Sequence, residues 1–209
     1  MAASAGIGIG CSLAAAYFFG SIPSAKWIAK LFYGVDIAKV GSGNPGMTNV
    51  YRTLGLKPAL PVALIDAGKG YLAAWLTLWL TGSLSWGLAA GVMAVLGHSF
   101  TVFASFKGGK GVLTGFGVFL YFVPFSALAG LAAWTIVVLL SRYVSLGSIT
   151  AAIVMPTSIF LELQLRRDTT LLPILAVACM VCTFILFRHR SNIVRLVSGT
   201  ENKFGSKTQ

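Results

Sequence analysis

Two stretches of this chain hold most of the residues that could do polar chemistry. The first runs Gly41-Ser42-Gly43-Asn44-Pro45-Gly46-Met47-Thr48-Asn49-Val50-Tyr51-Arg52. Its glycines admit positive φ and close backbone approach, so successive N–H groups can form a nest for an anion. Ser42, Asn44, Thr48 and Asn49 add neutral hydrogen-bonding groups, and Arg52 adds a bidentate cation. The same residues also suit a polar interhelical turn in which Arg52 is a topology charge. The stretch contains G-x-G-x-x-G, with Asp66 further on. A dinucleotide site is excluded, because no strand precedes the glycines and Asp66 sits inside an apolar helical run.

The second stretch runs from Gly97-His98-Ser99 to Lys107-Gly108-Gly109-Lys110-Gly111. Its end looks like half a nucleotide-binding phosphate loop. That loop needs Gly where Ala104 stands and Ser or Thr where Gly111 stands, so no ATP site is implied. Two lysines on a glycine backbone, just before a helix expected at Val112, still suit a phosphoryl group. Ammonium, backbone amides and helix N-terminus would act together. His98 is open between ligand contact and structural hydrogen bond.

Two smaller clusters follow. Arg188-His189-Arg190-Ser191-Asn192 is denser in cations than a topology anchor requires, whereas Arg195 alone fits an anchor. Arg142 can be a topology charge or a phosphate contact. Ser145 and Ser148 share a helix face just beyond it. Inside an apolar run, Asp66 and Lys69 stand at i, i+3, either as a functional intramembrane pair or as a self-neutralising structural one.

Composition decides what holds these clusters. Of 209 residues, 56% are hydrophobic and 10% charged, against about 25% charge in soluble domains. Mean hydropathy is +0.84. A soluble enzyme, a disordered tail and a nucleic-acid-binding module are excluded; a polytopic helical membrane protein is implied. The charge is lopsided, 16 Lys+Arg against 5 Asp+Glu. Carboxylates are therefore scarce as general bases or hard-metal ligands, and no metal site or cofactor is expected. Of three cysteines, Cys179 and Cys182 lie in an apolar run without a histidine nearby and are read as packed thiols.

Apolar runs place spans at 5–31, 59–80, 84–106, 144–163 and 171–187. The run from Gly111 to Ser141 is broken at Pro124 and is divided there into two short or tilted helices. The expectation is an all-α bundle of about seven transmembrane helices with the N-terminus outside and the C-terminus inside. The alternative is five spans plus a re-entrant hairpin. In the seven-span reading, every basic residue but Arg166 and Arg167 falls in or beside a cytoplasmic segment. The polar loops 36–58, 97–111, 141–148 and 188–209 then share one side of a single domain, 1–209.

GSGNPGMTNVYR, GHSFTVFASFKGGKGV and RHRSNIVRL resemble, in order and spacing, the three signature motifs of the bacterial acyl-phosphate–glycerol-3-phosphate acyltransferases, the PlsY family. The likeness runs essentially end to end. Met47, Thr101 and Leu113 depart from the usual Ala, Pro and Ala and leave the charged set intact. The resemblance implies transfer of a fatty acyl group from acyl phosphate to the sn-1 hydroxyl of glycerol 3-phosphate. It places the chain in the bacterial inner membrane with a cytoplasmic active site. Its implied partners are those two substrates and membrane lipid, with no nucleic acid and no obligate protein. It assigns Ser42, Arg52, Lys110, Ser148, His189 and Asn192 to catalysis. Phosphate contacts go to Gly43, Asn44, Gly46, Thr48, Asn49, His98, Lys107, Gly108, Gly109, Arg142, Ser145, Arg188 and Arg190. The His-x4-Asp pairing of coenzyme A-dependent acyltransferases is absent, since Phe103 and Val194 stand five after the two histidines. An anion transporter and a headgroup-binding scaffold are the rival classes.

Overall fold

The computed structural model describes residues 2–204, with side chains from Gly8 onward; residues 205–209, the end of the last expected loop, lie outside the described residues. Among those described, all regular structure is helical. They form two compact units, one through Tyr121 and one from Phe122.

In the first unit, α1 (Ala2–Gly20) and α2 (Ser24–Tyr33) replace the single span expected over 5–31. They bend by 41° at Ser21–Pro23. Proline has no N–H to continue the ladder and clashes with the preceding turn, so α1 stops and the Ser21 and Ile22 carbonyls fall in the break, outside either helix. In a site without water those oxygens need other donors. Thr101 Oγ1 donates to the Ser21 carbonyl, and Lys69 Nζ donates to that of Ile22 at 3.0 Å. A later loop and a later helix thus complete the break.

A short helix, α3 (Met47–Leu54), lies within the segment read as loop 36–58. Its apolar residues recur at 47, 50, 51 and 54, one helical face. That face packs into a cluster with Ile37, Ala25 and Ala29 of α2, and Ala59 and Val62 of α4 (Leu56–Thr81). α5 (Leu84–Ser99) runs against both α1 and α4. A one-turn 3₁₀ helix at Val102–Ala104 follows, and then α6 (Val112–Phe122).

Small residues let these backbones approach. A Cβ on Gly117 would fall on the Ala67 carbonyl oxygen, and one on Gly70 would fall on that of Thr114. The α4–α6 crossing is therefore glycine against backbone from both sides, the close-packing device of membrane helices.

The second unit contains α7 (Pro124–Ser141), α8 (Val144–Arg166), α9 (Leu171–Arg188) and α10 (Arg190–Val197). The helix break at Pro124 is where proline chemistry placed it, with Pro124 itself at the start of α7. α7 packs along α8, and α8 along α9. Outward-facing Leu139, Leu140 and Leu165 are 75%, 82% and 85% exposed. Side chains of that kind belong against hydrocarbon.

Among the described residues four helices are long and apolar enough to cross a membrane, counting α5 with its 3₁₀ extension, or five with the bent α1–α2 pair as one span. α4 has 26 residues but carries Asp66 and Lys69, and α6 has only 11. Cys182 is buried, whereas Cys179 is exposed on its helix, which corrects the reading of both as core thiols.

Gly117→Val should destabilise the first unit by roughly 1–3 kcal/mol, the usual cost of overpacking. Thermal unfolding in detergent measures it. Gly8→Val, where a Cβ would meet nothing within 4 Å, is the control and should leave the transition unmoved.

Candidate functional site

The first motif is a loop wound around one side chain. Asn49 Nδ2 donates to the Ile37 and Val40 carbonyls at 2.9 and 3.0 Å, and its Oδ1 accepts from Ser42 N at 2.9 Å. At 1% exposure, Asn49 organises the loop from within. Gly41 and Gly43 take φ of 58° and 68°, in the left-handed region that favours glycine. The result leaves Ser42 and Gly43 on the exposed rim and Asn44, Gly46 and Thr48 half-buried. Arg52 lies in the last turn of α3.

The second motif folds back on the end of α5. Gly108 N donates to the Ser99 carbonyl and Gly109 N to that of His98, each at 3.1 Å. These bonds serve carbonyls that the helix end leaves open. A Cβ on Gly108 would fall on the His98 carbonyl oxygen, and one on Gly109 on His98 Nε2. Both glycines are thus required by contact with His98, and their N–H groups donate to α5 carbonyls. Ser105 and Phe106 turn the chain with φ of 52° and 59°, a conformation that costs non-glycine residues about 1–2 kcal/mol each. Lys107 emerges exposed, and Lys110 is half-buried two residues before α6.

The two motifs meet in one cleft of the first unit. Pro45 lines it from the first motif, and His98, Lys107 and Gly109 from the second; Ser24 and Lys26 of α2 complete the wall. Sequence reasoning missed these last two. Lys26 read as a topology charge, and Ser24 has no pattern to mark it. Behind the cleft, Lys69 Nζ lies 2.8 Å from Asp66 Oδ1 and 2.9 Å from His98 Nδ1. Ser24 Oγ donates to the same Asp66 oxygen at 2.6 Å.

The second unit gathers its own set around Glu201, which no motif reading had singled out. Ser145 Oγ and Asn192 Nδ2 both donate to Glu201 Oε1, at 2.9 and 2.8 Å. Arg195 Nε donates to Oε2 at 2.7 Å. Burial pushes this carboxyl up, but the three donors outweigh it and hold it below its ordinary value of 4.5. Ser148 Oγ donates to the Val144 carbonyl at 3.0 Å and accepts from Trp134 Nε1 at 3.3 Å. His189 is 2% exposed, with Nδ1 2.8 Å from the Ile185 carbonyl. An oxygen acceptor there makes Nδ1 the protonated nitrogen.

Arg142 caps α7 in the left-handed conformation, and its Nε donates to the Phe204 carbonyl at 3.2 Å. Arg190 lies with its guanidinium 4.7 Å from the centre of the Phe187 ring, and Arg188 is half-buried at the end of α9. Among the described residues no three His, Cys, Asp or Glu side chains are grouped to hold a metal ion.

The glycerol-3-phosphate acyltransferase family matches residues 10–199. A curated glycerol-3-phosphate acyltransferase of Fusobacterium nucleatum is 42% identical over 194 residues, covering 93% of this chain and 97% of its own. One of Thermus thermophilus is 44% identical, covering 95% and 96%. Among solved structures, PlsY (YgiH), an integral membrane glycerol 3-phosphate acyltransferase, is similar in its glycerol 3-phosphate form. The TM-score is 0.87 and the identity 40%, over 95% of this chain and 96% of that one. Its lysophosphatidic acid form gives 0.85 and 39%, over the same shares.

Glu201→Gln should destabilise the protein by roughly 3 kcal/mol at neutral pH, as expected when a buried charged acceptor loses its charge. A carboxyl whose folded pKa is depressed stabilises above its unfolded value and loses that contribution as pH falls through the folded one. The difference between Glu201→Gln and wild type should therefore shrink below pH 4.5. Denaturation followed across pH checks the sign; a constant difference would contradict it.

Proposed function

We propose the following reaction on the ground that the chain belongs to the glycerol-3-phosphate acyltransferase family. It moves a fatty acyl group from acyl phosphate to the sn-1 hydroxyl of glycerol 3-phosphate. The hydroxyl oxygen bonds to the acyl carbon, and the bond from that carbon to the phosphate oxygen breaks. The hydroxyl proton passes to phosphate, and the products are 1-acyl-sn-glycerol 3-phosphate and inorganic phosphate.

The observation that carries this reading is the cleft. Lys26, Lys107 and His98 line it within a chain so poor in carboxylates. Two phosphate-bearing substrates need cations. The mixed anhydride is already activated and needs positioning and charge neutralisation more than a dedicated base. By family likeness, Ser42, Arg52, Lys110, Ser148, His189 and Asn192 are the catalytic residues. Neither Ser42 nor Ser148 is an acylated nucleophile in this reading. Ser148 is hydrogen-bonded to a backbone carbonyl and an indole, with no base recorded at its hydroxyl among the described residues. Lys107, Arg142, Arg188 and Arg190 remain candidate phosphate contacts.

The finer topology belongs to the same proposal. α4 and α6 join the apolar spans to make seven crossings, with the N-terminus outside and the motifs at the cytoplasmic face of the bacterial inner membrane. The excess of Lys and Arg in the motif segments supports that orientation.

Purified protein given palmitoyl phosphate and glycerol 3-phosphate should release phosphate and form the lysolipid, and palmitoyl-CoA should not replace the donor. Equal rates with the thioester would overturn the donor assignment; no turnover with either would favour a transporter or scaffold. Within the reaction, Lys110→Ala should lower kcat by about 10²–10³-fold, as for loss of an electrostatic stabiliser of the leaving group. Lys107→Ala should act mainly on KM. A kcat for Lys110→Ala within about threefold of wild type, in correctly inserted protein, would remove Lys110 from the site.

A further inference from the structure

A lysine ammonium has three protons and no lone pair. Lys69 is 1% exposed and has three acceptors within reach: Asp66 Oδ1 at 2.8 Å, His98 Nδ1 at 2.9 Å and the Ile22 carbonyl at 3.0 Å. With Lys69 charged, each proton has an acceptor and His98 Nδ1 accepts; Asp66 Oδ1 lies 3.6 Å from that nitrogen, beyond hydrogen-bond distance. A neutral imidazole that accepts at one nitrogen carries its proton on the other. His98 therefore holds Nε2–H. The His98 side chain is 10% exposed, and it lines the cleft beside Lys26 and Lys107.

Rotation of the ring is blocked from two sides. Lys69 holds Nδ1, and the Gly109 backbone lies so close to Nε2 that a Cβ there would strike it. Asp66 in turn holds Lys69, and Ser24 holds Asp66. The chain of contacts runs from a buried carboxylate, through an ammonium, to an imidazole N–H at the cleft.

We propose that Asp66 and Lys69 are positioning residues which set the tautomer and orientation of His98, so that its Nε2–H is a neutral donor to a phosphoryl oxygen in the cleft. The inference rests on the acyltransferase reading for the identity of that phosphate, which belongs to either glycerol 3-phosphate or acyl phosphate. Removing the pair would leave the cationic wall of Lys26 and Lys107 in place but free the imidazole to present a lone pair to an anion. That arrangement repels where the native one attracts.

Two measurements test this separately. In ring-labelled ¹⁵N-histidine protein in detergent, long-range proton–nitrogen correlation should show His98 as the Nε2–H tautomer. Asp66→Ala/Lys69→Met, which removes both buried charges together, should abolish the single tautomer. Finding Nδ1–H in the wild type, as for a neutral lysine accepting from the ring, would overturn the proposal. The second arm is kinetic and needs no change in α4. His98→Gln places an amide N–H near the position of Nε2, whereas His98→Leu places none. KM for one phosphate substrate should rise about tenfold or more in His98→Leu, the worth of a hydrogen bond to a charged oxygen. It should stay within about threefold of wild type in His98→Gln, with kcat little changed in both. A rise for glycerol 3-phosphate alone assigns the donor N–H to the acceptor substrate, and a rise for acyl phosphate alone assigns it to the other. Equal KM in wild type, His98→Gln and His98→Leu would refute the donor role. If wild-type protein turned over neither substrate, the reaction itself would fall, and the ring spectrum would still decide the tautomer.

Discussion

The ammonium of Lys69 is the contact on which the first unit closes. A cation at 1% exposure costs several kcal/mol to desolvate unless every proton finds an acceptor. Its acceptors come from three places in the chain: the break after α1, its own helix, and the last turn of α5. Satisfying one side chain therefore fixes three segments against one another. The break at Ser21–Pro23 is tolerable because Lys69 and Thr101 donate to the carbonyls of Ile22 and Ser21, which lie outside either helix. The polar interior and the cleft wall are two faces of one arrangement.

Glycine plays two physical roles that composition alone does not separate. At Gly41 and Gly43 it supplies positive φ, so the loop can wrap Asn49. At Gly70, Gly108, Gly109 and Gly117 it supplies the absence of a side chain where backbone or ring atoms already stand. The second motif reads as a phosphate nest because its glycines lie beside lysines. Its amides at 108 and 109 are nevertheless tied to α5, and in the proposed reading anion recognition in this cleft therefore falls to side chains: Lys26, Lys107 and His98.

The second unit uses an anion as the first uses a cation. Glu201 gathers Ser145 from α8, and Asn192 and Arg195 from α10, so a residue beyond the last helix orders the polar end of its unit. The three donors keep the carboxylate ionised despite burial. One amide proton of Asn192 is thereby committed to Glu201.

Class, motifs and several boundaries were legible from residue types. Low charge and long apolar runs determine a helical membrane protein, because an unpaired backbone cannot stand in hydrocarbon. Pro124 marked a real break, since proline cannot continue a helix from the preceding turn. Pro23 has the same chemistry, yet it was read through as one span because the hydrophobic run continues across it; only the packed partners Lys69 and Thr101 make the bend favourable. α3 was also legible in principle, from apolar residues at 47, 50, 51 and 54, but short helices are decided by packing more than by propensity. Residue type marked Asp66 and Lys69 as a pair and left His98 open between two roles. Tertiary structure joined the three, because contacts at separations of 29 and 47 residues follow from how helices cross and leave no trace in local pattern. The same holds for Glu201, whose neighbour on α8 is 56 residues away in sequence. Chemistry at one position is written in its side chain, whereas the partner that tunes it is chosen by the fold.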